Sequence, residues 1–242
     1  MTSDPISSAA PEQLVLDLPH RQALEREDFL VTPANAAAVE LIDGWPGWAT
    51  RAVVVVGPQG SGKSHLTHVW RMRSGAPSCP GTALDETAIG QIESARALAV
   101  EDIDRGIADE RVFFHLLNLT RQEGYSLLAT ARCPPGDLDV ALPDLRSRLR
   151  ALPVVHIAEP GEDVLKAVLV KLFADRQLVV EPHVIAHLAL HIDRSFAAAE
   201  EIVATCDRLA LTRQRRVTRP LAAEALASVV GPENEKGATK GV

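Results

Sequence analysis

Short apolar runs alternate with longer amphipathic segments in the part of the chain between residues 51 and 160. The first run, at 51–56, has no polar position after its opening arginine, which is typical of a parallel strand buried on both faces. The same kind of pattern predicts further strands at 95–102, 125–131 and 153–160, with at most one short strand at 75–87. Helices are predicted between them, at 64–74, 108–124 and 142–152. We therefore expect an α/β fold with a parallel sheet flanked by helices.

The strand pattern ends near Pro160, and helix-like segments follow at 161–177, 181–192, 193–214 and 219–230. This change predicts an α/β domain at 25–160 and a small C-terminal α-helical domain at 161–230. At the start of the α/β domain, Thr32 is a predicted helix cap with Pro33 at the first helical position. Residues 1–24 and 231–242 show no helical period, and we expect a flexible arm and a disordered tail there.

The composition narrows the classes of function. A net charge of −7 and a pI near 5.6 argue against a protein that coats nucleic acid, which normally presents a basic face. The three cysteines lie far apart and form no C-x-x-C pattern, so neither a disulfide framework nor a zinc site is indicated. The sequence shows neither a signal-peptide pattern nor an apolar run near the roughly 18 residues of a membrane-spanning helix. We expect a cytoplasmic protein without membrane contact.

A glycine-rich loop follows the first strand and has the phosphate-binding sequence G-x-x-x-x-G-K-S at 57–64. Its glycines allow successive backbone amides to point at phosphate oxygens. Lys63 supplies a positive charge for a β- or γ-phosphate, and the Ser64 hydroxyl is suited to Mg²⁺. The helix predicted from Ser64 adds the positive end of its dipole. The predicted nucleotide-binding residues of this loop are Gly57, Pro58, Gly60, Ser61, Gly62, Lys63, Ser64 and His65.

Polar residues lie at the ends of two further predicted strands. Glu101 and Asp102 directly follow four apolar residues, and Thr130 lies near the end of the strand at 125–131. Because acids at such positions hold Mg²⁺ and orient water in P-loop enzymes, we interpret Glu101 as a metal ligand beside Ser64. Asp102 and Thr130 are then the candidate catalytic residues, close to the γ-phosphate and the attacking water. The alternative is a pair of solvated acids and an ordinary strand threonine.

A P-loop, an acidic strand end, a polar strand end, the arginine pair in LRSRL and a helical lid together resemble the AAA+ ATPase core. The segments EDFLVTPANAAAVE, LAVEDIDRG, LLATARCPP and LPDLRSRL resemble the DnaA branch of that family, over most of residues 25–230. The resemblance implies ADP or ATP as cofactor with Mg²⁺, and an adenine pocket that includes Leu30, Val31 and Asn35. It also implies an arginine finger at Arg148, which acts across a subunit boundary. The alternative for Arg148 is an intramolecular ion pair.

Two positions depart from the family pattern. The acids read Glu then Asp, whereas the usual AAA+ order is Asp then Glu, so we expect weak or absent intrinsic ATPase activity. In the lid, Ala197 occupies the position of the nucleotide-sensing arginine, and Arg194, nearly one turn earlier, is the candidate replacement. We also expect no DNA-binding helix-turn-helix domain after the lid.

The predicted arm contains QLVLDLP, a match to the QLxLxL pattern with which bacterial proteins dock on the DNA polymerase sliding clamp. A rim glutamine and leucines in apolar pockets suit such docking, and the alternative is a short edge strand. The motif and the DnaA-like module together resemble negative regulators of replication initiation that promote hydrolysis of DnaA-bound ATP. The expected partners are the clamp β subunit and DnaA, with DNA contacted only through the clamp and self-association left open. The predicted clamp-binding residues are Gln13, Leu14, Leu16 and Leu18.

Three other functions compete with this interpretation. They are a stand-alone P-loop ATPase or small-molecule kinase, a helicase-loader-like ATPase, and an adaptor in which nucleotide only stabilises the fold. His183, His187 and His191 are spaced by four residues, which is compatible with metal binding on one helix face. Because no carboxylate or cysteine completes that set, we prefer a partly exposed or core-lining histidine stripe.

Overall fold

The computed structural model describes residues 31–229, and within that range five parallel strands form one sheet in the order β2-β3-β4-β1-β5. The strands are β1 (Ala52–Val56), β2 (Ser78–Pro80), β3 (Ala97–Glu101), β4 (Ser126–Ala131) and β5 (Val154–His156). Helices of the α/β part are α1 (Ala36–Asp43), α2 (Lys63–Ser74), α3 (Thr87–Ala95), α4 (Glu110–Gln122) and α5 (Pro143–Arg150). The C-terminal helices are α6 (Glu162–Asp175), α7 (Pro182–His191), α8 (Phe196–Arg213) and α9 (Arg219–Val229).

The interior strand β1, which lies between β4 and β5, is covered by helices on both faces of the sheet. Its alternate residues Val54 and Val56 pack in a cluster with α3, α4 and α5, while Val53 and Val55 pack with α1 and α2. Side chains alternate between faces along a strand, so a strand buried on both sides has no polar position. This burial explains the run of four valines, and the loop that follows β1 lies between the ends of β4 and β5.

Three tryptophans fix α1 and α2 on one face of the sheet. The Trp48 ring stacks on Trp70, with centroids 5.5 Å apart, and Trp45 meets Trp70 edge-on at 6.3 Å. The Trp45 indole N–H donates to the Ser126 hydroxyl of β4 (3.1 Å). Aromatic pairs of this kind add to the hydrophobic stabilisation of the layer, and they hold the helix that carries Lys63.

The C-terminal helices α6 to α9, here called the lid, have an apolar core of their own. The fully buried residues in it include Leu169 and Phe173 of α6, Leu188 of α7 and Ile202 of α8, and none of that cluster's residues lies before Leu165. Along residues 31–229, no helix is long and apolar enough to cross a membrane.

The predicted fold class is confirmed: the sheet is parallel and helices flank it. Two local predictions differ from the structure. Helix α3 was not predicted, because it is short, contains Gly90 and buries only Ala88 and Ile92. Helix α1 begins at Ala36 rather than at Pro33, because a turn precedes it, in which the Thr32 carbonyl accepts the Asn35 and Ala36 amides.

Candidate functional site

The candidate site lies where the carboxyl ends of three neighbouring strands meet. Because β4 lies between β3 and β1, the ends of these strands share one edge of the sheet, the usual position for ligands in α/β folds. Backbone hydrogen bonds connect the end of β1 and the start of the loop after it to both neighbouring strands, β4 and β5. The Gly57 amide donates to the Ala131 carbonyl at the end of β4 (3.1 Å), and the Ile157 amide after β5 donates to Val56 (2.7 Å).

The first glycine of the P-loop is required by space. A Cβ on Gly57 would lie 2.7 Å from Ser61 Oγ and 2.8 Å from the Ile157 carbonyl oxygen, and the latter is backbone that cannot rotate away. Ser61 Oγ is buried and has no hydrogen-bond partner among the residues that the structure describes. A buried hydroxyl without a partner costs stability, so this loop contains a polar group suited to a ligand.

The Lys63 ammonium lies inside the loop. Its Nζ donates to the carbonyls of Gly57 (2.7 Å) and Pro58 (2.8 Å), and the residue is 7% exposed. Burial lowers the pKa of Lys63, while the nearby carboxylates of Asp102 and Asp104 act in the opposite direction. The positive charge of Lys63 is thus held inside the loop by two of the loop's own carbonyls.

The two predicted Mg²⁺ ligands lie together. Glu101 ends β3 and Ser64 lies in the first turn of α2, and burial raises the pKa of Glu101 while its interaction with the Ser64 hydroxyl lowers it. Carboxylate and hydroxyl oxygens suit a hard cation such as Mg²⁺. Among residues 31–229, no group of three or more His, Cys, Asp or Glu side chains is placed to hold a metal ion, and this includes the histidines of α7.

Asp102 and Thr130 are in contact. The Asp102 amide donates to Thr130 Oγ1 (3.0 Å), and Asp102 has the left-handed φ of 52°, which is uncommon for a non-glycine residue. Its carboxylate pairs with Arg105 at 3.6 Å. Thr130 is only 1% exposed, so its hydroxyl acts on the backbone of Asp102 rather than lying open at the surface.

Two charged residues near Lys63 were not predicted. The Arg132 amide donates to the Asp104 carboxylate (3.0 Å), and the Arg132 guanidinium approaches the same carboxylate at 3.8 Å. Both residues influence the pKa of Lys63, after burial and Asp102. Their only signal in the sequence is their position: Asp104 lies three residues beyond Glu101, and Arg132 directly follows β4.

The lid contacts the P-loop directly. The Phe196 amide, at the start of α8, donates to the Gly60 carbonyl (3.0 Å), and Ser195 Oγ caps this helix by accepting the Ala198 amide (3.1 Å). Ala197 lies at the same contact, so the position expected for a nucleotide sensor is beside the loop. Arg194 is exposed and lies near Glu162, whose pKa is lowered mainly by Lys166 and additionally by Arg194.

The two arginines of α5 have different surroundings. Arg146 donates twice to the Val140 carbonyl, from Nε at 3.1 Å and from Nη2 at 2.5 Å. The Arg148 guanidinium lies over the Phe114 ring of α4, 5.8 Å from its centroid. Within residues 31–229 it has no hydrogen bond and no ion pair, so the intramolecular ion pair that was the alternative for Arg148 is not found there.

The adenine-pocket residues are partly described. Asn35 is buried and its side-chain oxygen accepts the Thr32 amide (2.8 Å), while Val31 is 48% exposed. His65 is half-buried on α2. Leu30 and the clamp-binding motif lie outside the described residues.

Comparison with known proteins identifies similar sequences. No protein-family model matches the chain. DnaA of Lachnoclostridium phytofermentans, a chromosomal replication initiator protein, is 27% identical over 145 residues, or 59% of this chain and 32% of that protein. The same initiator from Cutibacterium acnes is 24% identical over 225 residues, or 84% of this chain and 45% of that protein. The chain therefore spans less than half the length of either relative.

Solved structures show the same fold. Domain III of the Thermotoga maritima replication initiation protein DnaA has a TM-score of 0.70 at 19% identity, over 88% of this chain and 100% of that one. AMPPCP-bound DnaA from Aquifex aeolicus has a TM-score of 0.64 at 18% identity, over 77% and 65%. A Thermotoga maritima RuvB variant has a TM-score of 0.60 at 15% identity, over 80% and 67%.

The chain shares with these structures a parallel sheet, a loop with the P-loop sequence after β1, and a helical domain that follows the sheet. Both DnaA and RuvB share this fold with the chain, but the similar sequences are those of DnaA. The chain is therefore similar to DnaA domain III in fold and, at 24–27% identity, to DnaA in sequence.

Proposed function

We propose that this chain is a regulatory inactivator of DnaA, of the Hda type. In this proposal it docks on the sliding clamp and stimulates hydrolysis of DnaA-bound ATP, and so acts as a negative regulator of chromosome replication initiation. The relation to DnaA supports this role, because a DnaA-like module can pair with DnaA as a neighbouring subunit does. The observation that carries the proposal is the Arg148 guanidinium, which has no hydrogen bond or ion pair within residues 31–229.

The P-loop holds ADP or ATP with Mg²⁺ in this proposal. The residues present fit that ligand, because Ser61 has a buried hydroxyl without a partner among the described residues and Lys63 brings a buried charge. Ser64 and Glu101 would hold Mg²⁺, which neutralises phosphate charge when bound. AMPPCP-bound DnaA from Aquifex aeolicus, a neighbour in fold, is consistent with this assignment.

Weak intrinsic hydrolysis is consistent with the state of Asp102. A general base needs a free carboxylate within reach of the attacking water. The carboxylate of Asp102 is paired with Arg105, and its backbone is held by Thr130. We infer that the nucleotide of this chain serves mainly to order the P-loop and the lid through linkage.

Arg148 is the residue that would act on DnaA. An arginine finger must keep its guanidinium fork available, because it neutralises charge on the γ-phosphate of a neighbouring subunit. Stacking on Phe114 holds the Arg148 side chain without using its N–H groups within the described residues. Arg146 lacks this freedom, because it donates twice to Val140.

The test is hydrolysis of DnaA-bound ATP in the presence of DNA-loaded clamp, with Arg148→Ala compared with Arg146→Ala. We expect Arg148→Ala to lose the stimulation, since removing an arginine finger lowers the rate by about 10³- to 10⁵-fold in other NTPases. Arg146→Ala, two positions away on the same helix, is expected to retain most of it. Stimulation by Arg148→Ala equal to that of the unaltered chain would exclude the finger.

The clamp contact is tested separately. We expect Gln13→Ala with Leu14→Ala to abolish clamp binding while ADP binding stays unchanged, because the motif lies outside the P-loop domain in sequence. If the unaltered chain does not bind the clamp, docking is wrong, whereas the Arg148 result still tests the action on DnaA.

A further inference from the structure

The turn between α8 and α9 has an unusual charge for this acidic chain. Residues 208–219 contain five arginines and neither aspartate nor glutamate, although the chain as a whole has a net charge of −7. The segment 213–219, here called the arginine turn, borders a surface pocket of about 400 Å³ with the start of α9. The pocket is lined by Arg213, Arg215, Arg216, Thr218 and Glu224, among others.

Most of the guanidinium groups of this turn have no hydrogen-bond or ion-pair partner among residues 31–229. Arg213 forms a bidentate pair with Glu224, which neutralises the one carboxylate of the pocket. The side chains of Arg215, Arg216 and Arg219 form no hydrogen bond or ion pair within the part of the chain that the structure describes. All three residues are exposed. The pocket therefore presents excess positive charge.

The position of Arg219 is unfavourable for stability. It is the first residue of α9, and a cation near a helix N-terminus opposes the helix dipole, at a cost of about 0.3–1 kcal/mol. The first turn of this helix contains no acidic residue. The positive end of the helix dipole favours an anion instead, and the helix begins beside Thr218, whose carbonyl accepts the Ala222 amide. Arg219 thus opposes the stability of α9, but its charge is suited to binding an anion.

We propose that the arginine turn binds the phosphate backbone of duplex DNA. The arginine fork matches phosphate oxygens bidentately, and threonine and glutamine side chains such as Thr218 and Gln214 are common phosphate contacts. This site lies in the lid, at the opposite end of α8 from the residues that contact the P-loop. It gives the chain a direct contact with DNA, beyond the expectation that DNA is reached only through the clamp.

Duplex backbone is favoured over two other anionic partners. Single-stranded nucleic acid is normally held by aromatic side chains on which bases stack, and no aromatic residue lines this pocket. An acidic peptide normally needs apolar anchors in a buried pocket, whereas the exposed side chains here are mainly arginines. Backbone contacts need only charge and hydrogen-bond donors, and the turn provides both.

The test measures binding of the full chain to a short labelled duplex by fluorescence anisotropy, without clamp or DnaA. Three phosphate contacts predict a slope of about −2.7 for log K against log salt, and binding about 40-fold weaker at 200 mM than at 50 mM salt. The variant R215Q/R216Q/R219Q is expected to lose this salt-dependent binding. The control R96Q/R111Q/R121Q changes the net charge equally at exposed arginines of the α/β part and is expected to bind as the unaltered chain does.

Several outcomes would overturn the proposal. The first is that the turn variant and the control variant bind the duplex equally. The second is that the chain binds the matching single strand more tightly than the duplex. The third is that a polyglutamate peptide displaces the labelled duplex as efficiently as unlabelled duplex does. If the triple variant does not fold, Arg216→Gln alone is used, and a slope unchanged from that of the unaltered chain, rather than reduced by about 0.9, contradicts the proposal. Because neither clamp nor DnaA is present, this result is independent of the regulatory role proposed above.

Discussion

The contact between lid and P-loop can be tested at Gly60, because the chain contains a matched control. Gly60 has a φ of 71° and Gly124 has a φ of 72°, so both lie in the left-handed region. A Cβ on Gly60 would lie 2.8 Å from Ser195 Oγ and 3.0 Å from the Ala197 Cβ, whereas a Cβ on Gly124 would meet nothing within 4 Å. Both alanine variants therefore place alanine in the left-handed region, and only Gly60→Ala also disturbs the contact between the lid and the P-loop.

The expected magnitudes follow from these surroundings. Alanine in the left-handed region costs about 1–2 kcal/mol, which is the whole effect expected for Gly124→Ala. In Gly60→Ala the start of α8 must also move, and the hydrogen bond from the Phe196 amide is lost or lengthened. A hydrogen bond of this kind contributes about 0.5–1.5 kcal/mol net. We expect Gly60→Ala to destabilise by about 2–3 kcal/mol in total.

Two measurements separate the backbone cost from the lid contact. Urea unfolding gives the free energies of the two variants, and amide hydrogen exchange gives the protection of Phe196, whose N–H donates to Gly60. We expect Phe196 to exchange faster in Gly60→Ala and at the unaltered rate in Gly124→Ala. Equal free energies of unfolding together with unchanged exchange at Phe196 would refute the packing of the lid on the P-loop.

Two further predictions concern ionisable groups. Burial raises the pKa of Glu101, so the folded chain keeps this proton to higher pH than the unfolded chain does, and stability falls as pH rises above about 4.5. Glu101→Gln should flatten that fall in urea midpoints, and an unchanged pH profile would contradict it. Burial also raises the pKa of Cys206 to about 12. In a Cys79→Ser, Cys133→Ser variant, Ellman's reagent should therefore modify Cys206 only on unfolding, and fast modification in buffer would contradict the buried lid core.

The parts of the fold that were predicted correctly are those encoded by neighbouring residues. The four valines of β1 and the loop at 57–64 form a continuous local pattern, so both this buried strand and the phosphate-binding sequence after it could be recognised without tertiary information. Helix α3 escaped prediction because only two of its residues are buried, and one of its central positions is Gly90. The start of α1 was misplaced because the Thr32 turn imitates a helix cap.

The contacts that position the side chains and backbone of the site join residues far apart in the sequence. Nothing near Gly60 indicates that Phe196 donates to its carbonyl, and nothing near Asp102 indicates that Thr130 holds its amide. The difference between Arg146 and Arg148 likewise depends on the Val140 carbonyl and the Phe114 ring. Such pairings are decided by the sheet order and by helix packing, which a single sequence specifies only through the whole fold.

The tryptophan cluster makes the α/β part and the lid optically distinguishable. The chain has three tryptophans and one tyrosine. Trp45 and Trp48 both contact Trp70, and Tyr125 directly precedes β4. Residues 161–242 contain neither type. Intrinsic fluorescence therefore reports unfolding of the α/β part alone, whereas far-ultraviolet circular dichroism is dominated by helices, including all four of the lid. Melting curves that coincide by the two probes would show that the parts unfold as one unit, and curves that separate would give the lid a transition of its own.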